Sequence, residues 1–340
     1  MDGGTLIPDI KRTSVLRRLP PLGVVQYAAT PGFEGDVCAF ELASESSPMA
    51  VEADSGRPMT LAPGDVFLAT AGYRESTRWV VGRIPDGGLV PGIKYWILAE
   101  SGVVGDLIAD SSRAKSHLGQ VKYLGAVRDD GGQILNIRQF AADTDGAVAD
   151  HGAPVFLVLG TSAEVGKTTA GTAVLRTLRH KGHTTVVVLK ATGTSSFTEL
   201  AHYLDFGATQ VFDCVDFGLP TTYPSDREGM ASMFVRALDI CFSISADAVV
   251  VECGGDILGA NVPIFLKCLV AKRPDVKIIL AAADALGAFG AKSVLRDMGL
   301  SPNLISGPCT DTPILQQRTH ELCGVPAINL FKDEKYDELF

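Results

Sequence analysis

At 340 residues the chain is long enough for two domains, each with a sizeable core. Its 46% hydrophobic content and mean hydropathy of +0.21 fit a soluble α/β protein, and no apolar run approaches the ~18 residues of a membrane span. A net charge of −9 and a pI near 5.2 argue against nucleic acid as the main partner.

The N-terminal stretch carries charge but no apolar h-region, so no secretory signal is expected, and Lys11, Arg12, Arg17 and Arg18 read as a solvated arm. Seven cysteines, an odd number without a CxxC pair, read as reduced thiols of a cytoplasmic protein. From residue 20 to about 145, short alternating apolar runs are broken by Gly-Asp, Pro-Gly and Asp-Gly turns. Such runs predict a β-rich domain, a barrel or a sandwich. Asp129-Asp130-Gly131-Gly132 is a hairpin signal. Tyr73, Arg74, Glu75 and Ser76 follow a glycine turn and read as exposed loop residues. Residues 141–153 read as a linker, which divides the chain into a β-rich domain over 1–150 and a nucleotide-binding domain over 151–340.

The second domain opens on the apolar run Pro154–Leu159, short enough to be a buried strand. The loop GTSAEVGKTT follows: Gly160, Thr161, Ser162, Ala163, Glu164, Val165, Gly166, Lys167, Thr168 and Thr169. A helical pattern then runs from Ala170 to about Leu178. Strand, glycine loop ending in Gly-Lys-Thr, then helix is the context of a phosphate-binding P-loop. Glycine permits the backbone N–H groups to close on phosphate oxygens, and the helix offers its positive end to the same anion. Lys167 would reach the terminal phosphates, and the Thr168 hydroxyl would ligate Mg²⁺.

Further strands are predicted over 184–189, 247–252, 276–283 and 325–330, with helices near 197–206, 226–243, 263–272, 285–298 and 311–322. Continuous apolar strands alternating with helices imply a three-layer parallel sheet covered on both faces, with ligands beyond the strands' carboxyl ends. Lys190 closes the second strand, where its charge suits a transferring phosphoryl group. Glu252 ends the strand DAVVVE, and an acid at the tip of a buried strand needs a cation such as Mg²⁺. The loop 213–225 is rich in hydroxyls and carboxylates and is the expected substrate loop; the alternative is an ordinary exposed loop with Ser225 capping the next helix. Asp256 and Asn261 follow Glu252 and are further candidates to face the ligand. Cys214 and Cys253 lie in loops of the same end, and neither is expected to be a nucleophile.

Gly160-Thr161 and Glu164-Val165-Gly166-Lys167-Thr168 resemble the P-loop of dethiobiotin synthetase, GTDTEVGKT, down to the five residues between the glycines. Ser162 stands where that family has aspartate. The resemblance, over roughly 153–330, implies a dethiobiotin synthetase-like sheet. It also implies a phosphate-serving role for Lys190, with Ala191 in place of the family's proline, and a metal-ligand role for Glu252. The family's second acidic metal ligand, at the start of a helix, has two candidates, Glu199 and Asp205, with Glu199 nearer the matching place. A plain first-turn acid favouring the helix dipole would look the same. Base reading by an asparagine has Asn303 as its counterpart, placed before the apolar run and not after it. ATP with Mg²⁺ is the expected cofactor pair, and GTP stays open.

The resulting expectation is an α/β chain in which a P-loop parallel sheet is preceded by a smaller β-rich domain. Its activity would be that of a Mg²⁺-dependent small-molecule kinase or ligase, with Lys167 and Lys190 catalytic and Thr168, Glu252 and Glu199 on the metal. Its partner would be a small-molecule substrate, without nucleic acid or membrane, and the chain would form a homodimer. Biotin synthesis itself is disfavoured by the additional β-rich domain and by Ser162. A second reading, of a different class, is a nucleotide-switched assembly factor or metallochaperone.

Overall fold

A computed structural model describes residues 4–6, 10–76, 80–110, 119–143, 149–224 and 226–332. Ser225 and residues 144–148 of the expected linker lie outside the described residues. The chain divides into two compact units. One comprises Met1–Ala142 with Thr194–Thr198 and Asp213–Pro224; the other comprises Asp143–Gly193, Glu199–Phe212 and Ser225–Phe340.

In the first unit, five strands close into a ring: β1 (Val37–Leu42), β2 (Val66–Ala71), β3 (Lys94–Ala99), β4 (Val103–Asp110) and β5 (Gln120–Arg128). β1 pairs antiparallel with β5 and β2, β2 runs parallel to β4, and β3 joins β4 back to β5 by antiparallel pairing. Ring closure leaves these strands no open edge. The two-residue side-chain period sorts the core: Cys38, Phe40 and Leu42 join one cluster, while Val37 and Ala39 join a second. Phe40 anchors the first cluster, with its ring centroid 6.0 Å from that of Phe67 and 5.4 Å from that of Tyr123. The second packs under the short helix Ser14–Leu16 and takes in Val215.

The basic N-terminal stretch is not a solvated arm. Lys11 pairs with Asp65 at 2.5 Å and Arg12 with Asp54 at 2.5 Å. Arg17 is buried, its guanidinium 2.7 Å from Asp213 and 2.6 Å from Asp216. Arg74, expected as exposed, is largely buried and donates to the Leu98 carbonyl. A charge pattern in sequence does not reveal partners that arrive from far along the chain.

The second unit is a parallel six-stranded sheet with helices. In chain order it holds β6 (Val155–Gly160), α1 (Lys167–His180), β7 (Val186–Thr192), α2 (Phe197–Asp205, its first two residues in the first unit), β8 (Gln210–Phe212), α3 (Arg227–Ser243), β9 (Ala248–Cys253), α4 (Val262–Lys272), β10 (Lys277–Ala281), α5 (Ala285–Asp297), β11 (Leu304–Ser306) and α6 (Pro313–Cys323). The strand order is β8-β7-β9-β6-β10-β11, every pair parallel. Every residue of β6, β7 and β9 is buried, as their unbroken apolar runs require of a sheet covered on both faces. Phe156, Val158, Val188 and Val250 meet Ala170, Val174 and Leu178 of α1 and Tyr203 of α2 in one core. The helices predicted from periodicity lie within about two residues of those observed, apart from α1, which starts at Lys167 inside the loop motif.

Two strands differ from expectation. The sixth strand is Leu304–Ser306, and residues 325–330 make only an isolated bridge between Ala327 and Ile305. Pro326 has no N–H to give to a ladder, so that segment lies at the edge without extending the sheet. β8, three residues long, is too short to carry a period.

Candidate nucleotide site

The P-loop lies between β6 and α1, with β6 flanked by β9 and β10 in the sheet. Gly166 is the N-cap of α1 at φ 84°, and Glu164 also takes positive φ, 61°, unusual for a residue with a side chain. Gly160 is required by the lysine: a Cβ there would stand 2.6 Å from Lys167 Cδ. Lys167 is folded back, its Nζ donating to the Ser162 carbonyl at 2.7 Å. Thr161 N–H donates to the Ala281 carbonyl at 3.1 Å, tying the loop to β10. On the loop's other flank Gly307, at φ 95°, sits so close that a Cβ would lie 2.7 Å from the Val165 carbonyl oxygen. A backbone of this shape can enclose an anion.

Three strand ends bring their charges together. Lys190 of β7 and Glu252 of β9 are direct neighbours in the sheet. The Thr168 hydroxyl donates to Glu252 Oε1 at 3.2 Å, and the Tyr203 hydroxyl donates to Oε2 at 2.6 Å. Lys167 feels Glu252, Lys190 and Asp256; burial pushes its pKa down, with the Glu252 charge opposing. Burial, with the Glu252 carboxylate beside it, holds the Tyr203 phenol in its neutral form. Glu199, in the first turn of α2, is ion-paired with Lys190.

Thr168 and Glu252 suit a magnesium ion of the phosphate-bridging kind, which takes one hydroxyl and one or two carboxylates and fills its remaining positions with phosphate oxygens and water. The buried Glu252 carboxylate is the fitting observation: it is 2% exposed and already shares the Thr168 hydroxyl. Among the described residues no group of three or more His, Cys, Asp or Glu could hold a metal by protein ligands alone.

Several expected site residues are placed elsewhere. Asp213 and Asp216 do not line a substrate loop; they cap the short helix Cys214–Phe217 and hold Arg17. Asn303 Oδ1 accepts from Ile278 N–H at the amino end of β10, the wrong end of the sheet for reading a base. Asp205 is exposed at the last residue of α2, two positions from Tyr203 and so on another face of the helix. Asp256 accepts from Leu258 and Gly259 N–H, shaping its own loop. Asn261 begins α4 in the left-handed region, φ 59°. Cys214 is buried, and burial pushes the Cys253 thiol up to about 12, so neither supplies a thiolate.

Tyr203, Gly171 and Gly307 escaped the sequence reading. The available signal for Tyr203 was helical spacing, four residues from Glu199 and therefore on the same face. Gly171 makes room for it, since a Cβ there would lie 2.1 Å from the phenol oxygen.

No family model and no curated protein matches the sequence. Among solved structures, the chain is similar to the signal recognition particle receptor FtsY from Elizabethkingia anophelis, at 17% identity and TM-score 0.38, over 57% of this chain and 64% of that one. FtsY from Mycoplasma mycoides matches at 14% identity and TM-score 0.40, over 56% and 67%. The Signal Recognition Particle 54 kDa protein from Aeropyrum pernix K1, in complex with GDP, matches at 17% identity and TM-score 0.36, over 58% and 47%. The matches thus span about half to two thirds of those chains.

The matched structures are of FtsY and of the Signal Recognition Particle 54 kDa protein where the loop pointed to dethiobiotin synthetase, and the resemblance drawn from the loop is corrected accordingly. The small-molecule kinase or ligase falls with it. So do the partners expected for such an enzyme: a small-molecule substrate, neither nucleic acid nor membrane, and a second copy of the chain. What stands is a mixed α/β chain with a parallel sheet, a P-loop and a β-rich part. No helix among the described residues is long and apolar enough to cross a membrane.

Proposed function

We propose that the chain is a nucleotide-switched factor, whose P-loop unit binds a Mg²⁺–nucleoside triphosphate and whose β-rich unit delivers the response. One observation carries the reading. Thr194–Thr198 and Asp213–Pro224, which directly follow β7 and β8, belong to the first compact unit. Within that unit Glu52 accepts from Ser14 and Ser196 hydroxyls and from the Phe197 and Thr198 N–H groups, at 2.6–3.0 Å. Arg17 grips Asp213 and Asp216 and lies 5.5 Å from the centre of the Phe197 ring. Chain that leaves β7, the strand of Lys190, and the neighbouring β8 thus belongs to the other unit.

In this reading the loop amides and Lys167 hold the β- and γ-phosphates, Lys190 offsets charge on the terminal phosphate, and Thr168 with Glu252 holds the metal. A bound Mg²⁺ would supply charge neutralisation between the phosphates. ATP is the nucleotide expected from the loop, while the matched protein from Aeropyrum pernix K1 is in complex with GDP, so both bases are to be compared.

Binding of fluorescent GTP and ATP analogues, with and without Mg²⁺, tests the reading. Lys167→Ala is expected to weaken binding about 100-fold, the loss of a charge-assisted contact, while the unfolding midpoint stays put. Hydrogen exchange at 194–198 and 213–224 should differ between tri- and diphosphate complexes. Wild-type protein that is folded and binds neither analogue would falsify the proposal.

A further inference from the structure

One face of α2 already holds the two groups that a triphosphate and its metal would require. Glu199 is paired with Lys190, and Tyr203 donates to Glu252. The two partners lie side by side in the sheet, Lys190 opposite Glu252, so two hooks on one helix meet two neighbouring strand ends. The hooks differ in exposure. Tyr203 is 0% exposed, whereas the Glu199 side chain is 44% exposed against 7% for Lys190. A buried phenol cannot leave its carboxylate without stranding its own hydroxyl and Glu252 Oε2, and the Gly171 gap gives the ring one seat. A half-exposed carboxylate turns to water at little cost.

We propose that Glu199 determines the discrimination between nucleoside tri- and diphosphates, and that Tyr203 is a positioning residue for Glu252. The inference rests on the nucleotide-switch reading. Without a γ-phosphate, Lys190 stays on Glu199. A triphosphate draws Lys190 to its terminal oxygens and releases Glu199, so triphosphate alone bears the cost of parting the pair. A diphosphate leaves the pair intact. The Glu199 side chain is then the group set free, in the same turn whose Phe197 and Thr198 N–H groups stay held by Glu52. Tyr203 keeps Glu252 Oε2 throughout and leaves Oε1, with the Thr168 hydroxyl, facing the metal position.

The test is equilibrium binding of guanosine and adenosine β,γ-imidotriphosphates and of GDP and ADP, with Mg²⁺ titrated at fixed nucleotide. Glu199→Gln is expected to tighten the triphosphate about 3- to 5-fold, the upper worth of a partly exposed pair, and to leave the diphosphate within twofold. Tyr203→Phe is expected to raise the Mg²⁺ midpoint for triphosphate about fivefold, with metal-free binding unchanged, as loss of one hydrogen bond predicts. A purely structural role would move tri- and diphosphate together. Equal shifts, or none, in Glu199→Gln overturn the discrimination while leaving the nucleotide site standing. Wild-type protein that binds no nucleotide overturns both. Glu199 is at the surface, so this arm reads out even where Tyr203→Phe is unstable.

Discussion

Each unit buries a cluster of charge, and the two are closed in different ways. In the β-rich unit Arg17 is held by Asp213 and Asp216, and Glu52 accepts from four donors of its own unit. Burial alone would lower the pKa of Arg17; the two aspartates outweigh it and hold the group charged. In the α/β unit Lys167 turns onto its own loop, burial lowers its pKa, and Lys190 stands beside it with Glu199, itself part exposed, as counter-ion. Charge met by fixed protein partners is closed within the fold, whereas charge held by a backbone carbonyl or a part-exposed side chain is what the proposed function hands to a ligand.

That contrast can be broken by mutation. The largest effect is expected at Arg17: Arg17→Met takes the cation from buried Asp213 and leaves Asp216 only Arg18 at 3.3 Å, and should cost about 3 to 5 kcal/mol in denaturant unfolding. If Lys167→Ala costs as much, the distinction between the clusters is lost. Gly171→Ala should cost about 1 to 3 kcal/mol by overpacking and should raise the Mg²⁺ midpoint as Tyr203→Phe does, because the methyl meets the phenol oxygen. An unchanged midpoint would separate Tyr203 from the metal position.

The smallest effect sharpens the contrast through pH. Burial works against the Glu52 carboxylate, yet hydrogen bonds from Ser14, Thr198 and Phe197 hold its pKa below the ordinary 4.5. A carboxyl with a lower pKa folded than unfolded adds stability above pH 4.5 and surrenders it as pH falls through the folded value. Glu52→Gln should therefore lower stability at pH 7 by about 1 to 2 kcal/mol and flatten the acid limb below pH 4.5. An acid limb as steep as in wild type would show that another group sets it.

The loop from Gly160 to Thr169, the helix after it and the acid closing β9 were legible in the chain, because dihedral need, apolar runs and strand length are properties of neighbouring residues. The β-rich character of the first part was legible from its turns, but not the closing of five strands into a ring, which depends on β3 pairing with two strands at once. The distant partners were hidden. Arg17 and Asp213 stand 196 positions apart, and no period links them. The same holds for Tyr203 and Glu252, 49 apart.

By itself, then, the sequence determined where the glycine loop and the buried strands would form, since those follow from glycine, branched residues and local spacing. Only the tertiary structure decided which charges would be permanently matched and which left exchangeable. That choice turns on which segments the chain path brings within about 3 Å of each other, and hydrogen-bond energy at such range is blind to separation along the chain.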